Sequence, residues 1–283
     1  MTAATGTTTA TDWEPSPGFH DDVPEAAYHG HTGSLSQSGA KTLLRSPARF
    51  HYDRSHPRHK AAFDFGHAAH GLVLGVGDPL EVIDADDWRG KAAREARDAA
   101  YAAGAVPLLS KDHAKVVEMA DALSSHTLAM QLLSDGRPEV SGYALDEPTG
   151  VLRRGRFDWL HPTLLVDYKT SVDSHPEALA GRYGSMTKWG YDMQAAWYLD
   201  LARDCGHPAT AFAFIVQAKD APYEVTVALI EEDDLEPARS RNRRALEMFA
   251  EYTASGVWPG PVPATSIARL SLTQPTYVLE DMS

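Results

Sequence analysis

The sequence predicts an α/β fold of the α+β kind, with helices layered over a central sheet. Three observations carry this. After Gly136, the stretches RPEVSGYAL, VLRRGRFDWL and TLLVDYKTS alternate apolar and polar positions with period two, and turn clusters at Asp146–Gly150 and His161–Thr163 join them into an antiparallel meander. Residues 86–103, 111–134, about 186–205 and about 231–253 instead have helical composition or spacing. The chain has 283 residues, 43% hydrophobic and 23% charged, which suffices for a sizeable core.

Taken in order, residues 1–18 form a Thr/Ala-rich and then Pro-containing acidic tail that is expected to be disordered, because it has almost nothing to bury. In YHGHTGSLSQSGAKTLLRSPARFHYDR, Ser36 or Ser38 is placed to cap a short helix through Leu44, and Pro47 to open a second. The small, apolar run KAAFDFGHAAHGLVLG (Lys60–Gly75) reads as a buried helix. His67 and His70 sit three apart on it, on one face, and a buried imidazole needs a partner. A hydrogen bond is the ordinary partner; a metal ion is the other.

In KDHAKVVEMADALSSHTLAMQLL, Val116, Met119, Leu123 and Leu128 are read as core. On the helix of residues 186–205, Trp189, Met193, Trp197 and Leu201 form one apolar stripe; Tyr191, Gln194 and Tyr198 form a second, more polar one. AFAFIVQAK and YEVTVALI read as a strand pair around Asp220-Ala221-Pro222, followed by a long helix from Glu231 whose first turn is acidic, as the helix dipole favours. The tail after Val257 offers no chemistry. The expected organisation is a tail (1–18), one domain (19–258) and a C-terminal tail (259–283).

Composition removes several function classes. No apolar run reaches the ~20 residues of a membrane span, and the N-terminus has no signal-peptide pattern, so the chain reads as cytoplasmic and without a membrane partner. Cys205 is alone, so a thiolate metal cluster and an intrachain disulfide are excluded. The formal charge is −13, which argues against a polyanionic partner. Yet five of the excess acids lie in the first forty residues, which have no Lys or Arg, leaving −13 + 5 = −8 elsewhere. Basic groups recur at Arg45, Arg49, Arg54, Arg58 and Lys60, at Arg153, Arg154 and Arg156, and at Arg239, Arg241, Arg243 and Arg244.

The chemistry concentrates in RGRFDWLHPTLLVDYKTS, Arg154–Ser171. Side chains two apart on a strand share a face, so Asp167 and Lys169 point the same way. A regular hairpin sets Asp158 nearly opposite Asp167. Two carboxylates and a lysine on one patch suit a magnesium ion, which takes oxygen ligands and keeps positions open for water and phosphate, with the lysine beside the attacking water. The same D-x-K triplet is also what an ordinary salt-bridged hairpin contains. Whether Glu139, at the start of the first meander strand, reaches Asp158 is not given by spacing.

Six pieces in order, LSQSGAKTLLRSPARF, GHAAHGLVLG, the E-V-S strand, GRFDWL, VDYKTS and YDMQAAWYLD, resemble the PD-(D/E)XK nuclease superfamily, most closely the RecE-type phage and prophage exonucleases, over residues from about 28 to 255. The resemblance implies a restriction-endonuclease-like core, a central mixed sheet flanked by helices. It implies metal ligation by His70, Glu139, Asp158 and Asp167, with His67 the lesser candidate. It gives Lys169 the role of water-positioning base, with Gln194 in the catalytic set, and makes Thr170, Tyr191, Tyr198 and Arg156 substrate contacts. It further implies two Mg2+ ions per site, replaceable by Mn2+, and exonucleolytic hydrolysis of linear double-stranded DNA ends, 5′ to 3′, in phage-type recombination. The partners implied are a ring-shaped homo-oligomer and a single-strand annealing recombinase. The alternatives are a structure-specific endonuclease on the same fold and a non-catalytic DNA-binding module.

Overall fold

The protein is described by a computed structural model over residues 13–56, 64–271 and 277–281. The chain enters through β1 (Gly18–His20), α1 (Glu25–Gly30), β2 (Ser34–Ser36), α2 (Gln37–Arg45) and α3 (Pro47–Ser55). Ser36 caps α2 by accepting from the Gly39 N–H, and Ser46 caps α3 by accepting from Arg49. Pro47 occupies the first turn of α3, where a missing N–H costs no bond. Next come α4 (Asp64–Leu74), β3 (Leu80–Ile83), α5 (Lys91–Ala102), β4 (Val106–Leu109), α6 (Ser110–Ser124) and α7 (Thr127–Leu132). The meander is β5 (Arg137–Asp146), β6 (Val151–Leu160) and β7 (Leu165–Ser171). Then follow α8 (Pro176–Leu179), α9 (Ser185–Trp189), α10 (Tyr191–Asp204), β8 (Phe212–Ala218), β9 (Val225–Leu229) and α11 (Glu232–Ser255), and the chain closes with β10 (Ser266–Leu270) and β11 (Tyr277–Asp281).

Seven strands form the central mixed sheet, in the order β1-β5-β6-β7-β8-β9, with β2 running parallel to β6. β5, β6 and β7 are antiparallel neighbours. β8 lies parallel to β7, and α10 makes the crossover between them, as parallel pairing requires. Helices α2, α10 and α11 bury one face around Trp197, Leu201, Phe214 and Leu246. Helices α4 and α6 cover the other around Ala68, Val116, Tyr168 and Ile215. The helices over a sheet are what the sequence pattern predicts, and the mixed topology is what the resemblance implies.

Several boundaries differ. The helix expected over 86–103 starts only at Lys91, and the one over 111–134 breaks in two, because His126 turns its ring back to accept from the Ala129 N–H and so starts α7. The helix over 186–205 is interrupted at Gly190, which adopts φ +66° between α9 and α10. The parallel pair β3–β4 was not apparent in the sequence. Residues 1–12 of the expected N-terminal tail lie outside the described residues; of the others, Trp13 packs on Tyr143 at 5.3 Å and Gly18 pairs in the sheet. In the C-terminal segment β10 and β11 pair as a hairpin, and Trp258 before it packs against Phe50. Arg58 and Lys60 lie outside the described residues. Among the described residues, no helix is long and apolar enough to cross a membrane.

Candidate active site

The site forms where the sheet opens. β5 and β6 pair from Arg137 with Leu160 to Asp146 with Val151, missing only the step at Glu139 and Asp158, but β6 and β7 pair only at Trp159 with Val166 and Leu160 with Leu165 before they part. Asp158 stands at the first position of the gap. Its Oδ2 accepts from the Tyr168 backbone N–H at 3.2 Å, so a side chain replaces the ladder bond that a continuing pair would have made.

On the other flank of β6, Pro138 pairs with Trp159 and Val140 with Phe157, which sets Glu139 across from Asp158. Glu139 adopts φ +53°, a left-handed conformation that costs a non-glycine residue about 1 kcal/mol or more. His70 comes from α4. Its Nε2 lies 2.9 Å from Asp158 Oδ2 and its Nδ1 3.4 Å from Glu139 Oε1. The three residues offer ligand atoms all within 4.8 Å of one another. His67, one turn earlier, is exposed and stands outside this group. Spacing could not show that Glu139 reaches Asp158; the register does.

From the opposite side, α10 brings Gln194, whose Nε2 donates to Asp167 Oδ1 at 2.5 Å. The Lys169 ammonium touches Asp167 Oδ2, so Asp167 and Lys169 do share a face as their spacing requires. Asp167, expected as a fourth ligand, is thus outside the ligand group and between Lys169 and Gln194. Its buried Oδ2 faces that ammonium as an ion pair. Lys169 also sits 5.5 Å over the Tyr191 ring, which in turn stacks on Phe214.

The charges are strongly coupled. Burial opposes ionisation of Asp158, but His70 and Lys169 outweigh it and hold that carboxyl below its usual range. Burial and the adjacent Asp158 charge push Asp167 up. Glu139 is raised to about 6, by burial and by Asp158. Burial would lower His70, yet Asp158 and Glu139 prevail and raise it to about 9. The two carboxylates thus favour a positive charge at His70, and a divalent ion held there would take the place of the imidazole proton.

The remaining predicted contacts divide. Tyr191, Tyr198 and Thr170 line the cleft over the site, which has a volume of about 1410 Å3. Tyr198 packs edge-on against Phe157 and lies close to Gly155, where an added Cβ would come within 3.3 Å of its ring. Arg156 also lines the cleft, but its guanidinium pairs with Glu25, donates to Val23 O at 2.8 Å, lies over the Tyr28 ring and approaches Glu139 at 3.9 Å. Expected as a substrate contact, Arg156 stands on the cleft wall with its guanidinium held by Glu25 and Val23 O. Two residues missed in the sequence are Gln37 and Lys41 of α2. Both line the cleft, and Lys41 donates to Trp189 O at 2.8 Å. Their presence in LSQSGAK, one turn after a serine cap, was the available signal.

The donor set fits a divalent cation. Carboxylate oxygens predominate with one imidazole, and the buried Asp167 carboxylate lies in the same sheet opening. A split hairpin with Asp158 on one strand, D-x-K on the next and a helix-borne glutamine behind it is the arrangement of a PD-(D/E)XK-type domain. The chain belongs to the family described as a PDDEXK-like domain of unknown function (DUF3799), whose model matches residues 36–269. Its fold is similar to that of a protein from Eubacterium rectale described as a "putative exonuclease", with TM-score 0.60 and 14% identity over 84% of this chain and 87% of that one. No curated protein matches the sequence.

Proposed function

We propose that the protein is a magnesium-dependent exonuclease acting on linear double-stranded DNA. The observation that carries this reading is the convergence of His70, Glu139 and Asp158 with the Asp167–Lys169 pair at the split between β6 and β7. His70, Glu139 and Asp158 would hold the divalent ion, with Asp167 beside them; a second ion in the same opening belongs to the reading, and manganese is expected to substitute. The ion supplies Lewis-acid stabilisation of the phosphoryl oxygens and a more acidic water. Lys169 is half-buried and paired with Asp167, and its pKa is raised by Asp167 and Asp158 against the effect of burial. It therefore acts as a donor that orients water and offsets charge on the scissile phosphate. Gln194 fixes the Asp167 carboxylate, and Arg156 steadies Glu139.

The resemblance to RecE-type enzymes supports the finer features, 5′ to 3′ polarity, a ring-shaped homo-oligomer and a single-strand annealing partner, which together would place the reaction in phage-type recombination within the cytoplasm. The test is digestion of linear duplex DNA with magnesium: Asp167→Ala and Lys169→Ala are each expected to lose the activity, and undiminished digestion by either variant would overturn the assignment. Closed circular duplex should remain intact. Its cleavage would favour the structure-specific endonuclease, and magnesium uptake that survives loss of Asp158 would count against this metal site.

A further inference from the structure

The mouth of the cleft has a feature that phosphodiester hydrolysis alone does not use. Tyr183 is 83% exposed and Trp189 is 55% exposed, and both line the cleft that contains Lys169. Large aromatic rings open to solvent on a cleft wall are costly unless something covers them. Each has a cation of its own: Arg182 lies 5.7 Å over the Tyr183 ring and Lys188 lies 5.2 Å over the Trp189 ring. The segment is built to hold its shape. Gly184 N–H donates to Gly181 O at 3.1 Å and Thr187 Oγ1 donates to the same carbonyl at 2.9 Å. At Gly184 an added Cβ would lie 2.1 Å from Ala180 O, and at Gly190 2.9 Å from the Lys41 chain, so both turns require glycine. Lys41 fixes the far end through Trp189 O.

Resting on the nuclease reading, we infer that Tyr183 and Trp189, with Arg182 and Lys188, form a stacking rim that grips unpaired nucleotides of a strand entering or leaving the site. A base has a flat face for the ring, and the adjoining phosphate has a charge for the cation; single-strand binding surfaces combine these two elements. A duplex offers its phosphates but not its base faces. The rim is therefore selective for unpaired strands: its cations call for an anionic partner and its exposed rings for one with flat faces to stack, a pair of features a nucleic acid offers together.

The test is fluorescence anisotropy with a labelled oligothymidylate and with a labelled, covalently closed duplex circle that has neither free ends nor hairpin loops, using calcium in place of magnesium. The full chain is compared with Tyr183→Ala, Trp189→Ala and the corresponding Phe variants. Alanine at either position is expected to weaken single-strand binding by roughly fivefold or more, phenylalanine to retain it, and the closed duplex to bind equally well to all. Arg182→Gln and Lys188→Gln should each reduce the salt dependence of single-strand binding, by a slope of about 0.7. Wild-type protein that does not bind the single strand, alanine variants that bind within twofold of wild type, or an equal loss on the closed duplex would overturn the inference. Because no hydrolysis is read, an inactive wild type would defeat the nuclease reading while leaving this measurement intact.

Discussion

Strand β7 has two unlike flanks. Toward β8 it pairs without interruption from Leu165 with Phe212 to Ser171 with Ala218, and its core-facing neighbours Phe214, Ile215 and Val216 are fully or almost fully buried. Toward β6 it pairs at two positions, and the gap holds Asp158, with Glu139 and His70 behind it and Asp167 and Lys169 on the strand itself. One flank binds the sheet through burial and a complete ladder. The other gives up ladder bonds and gathers like charges, an arrangement that weakens the fold locally and has value only if a ligand uses it.

The sharpest way to break this comparison is to exchange the effects of the two flanks. On the β8 side, Phe214→Ala empties a fully buried ring position and is expected to cost about 3–5 kcal/mol of stability, measured by denaturant unfolding. On the β6 side, Asp158→Asn should leave stability within about 1 kcal/mol of wild type but reduce digestion of linear duplex by about 100-fold to 1000-fold. An Asp158→Asn protein that is fully active, or as destabilised as Phe214→Ala, would erase the distinction. Gln194→Ala tests whether the split depends on support from α10. The loss of its bond to Asp167 is expected to lower activity by about 10-fold to 100-fold, and metal titration should show a parallel loss of affinity.

The smallest effect is expected far from the split, at the β5–β6 turn. Asp146 is buried there; burial pushes its carboxyl up, but the bonds from Arg243 at 2.7 and 2.8 Å and from the Thr149 hydroxyl at 2.5 Å outweigh it and hold the pKa below the usual value. A carboxyl lowered by folding contributes stability above its unfolded pKa, near 4, and loses it as the pH falls through the lower folded value. Asp146→Asn should therefore destabilise the protein at neutral pH and flatten the stability profile below about pH 4. An unchanged profile would show that this pair, unlike the charges in the split, is energetically silent.

Much of the fold was legible along the chain. The meander, the buried β8, the acidic start of α11 and the serine and proline that begin α2 and α3 follow from period-two alternation, helical spacing and capping chemistry, all of which act within a few residues. Breaks were less legible. Gly190 and His126 end helices by a backbone angle and a ring hydrogen bond that hydrophobic periodicity does not register.

The sequence by itself determined that Asp167 and Lys169 face the same way, because strand alternation admits no other arrangement for residues two apart. Only the tertiary structure decided what surrounds them. His70 meets residues 69 and 88 positions later in the chain (139 − 70 and 158 − 70), Gln194 reaches back 27 to Asp167, and Arg156 on the cleft wall pairs with Glu25, far earlier in the chain. Those distances are set by strand register, by the early parting of β6 and β7 and by the packing of α4 and α10 on opposite sheet faces. Such long-range terms are sums over the whole core, and no local pattern contains them.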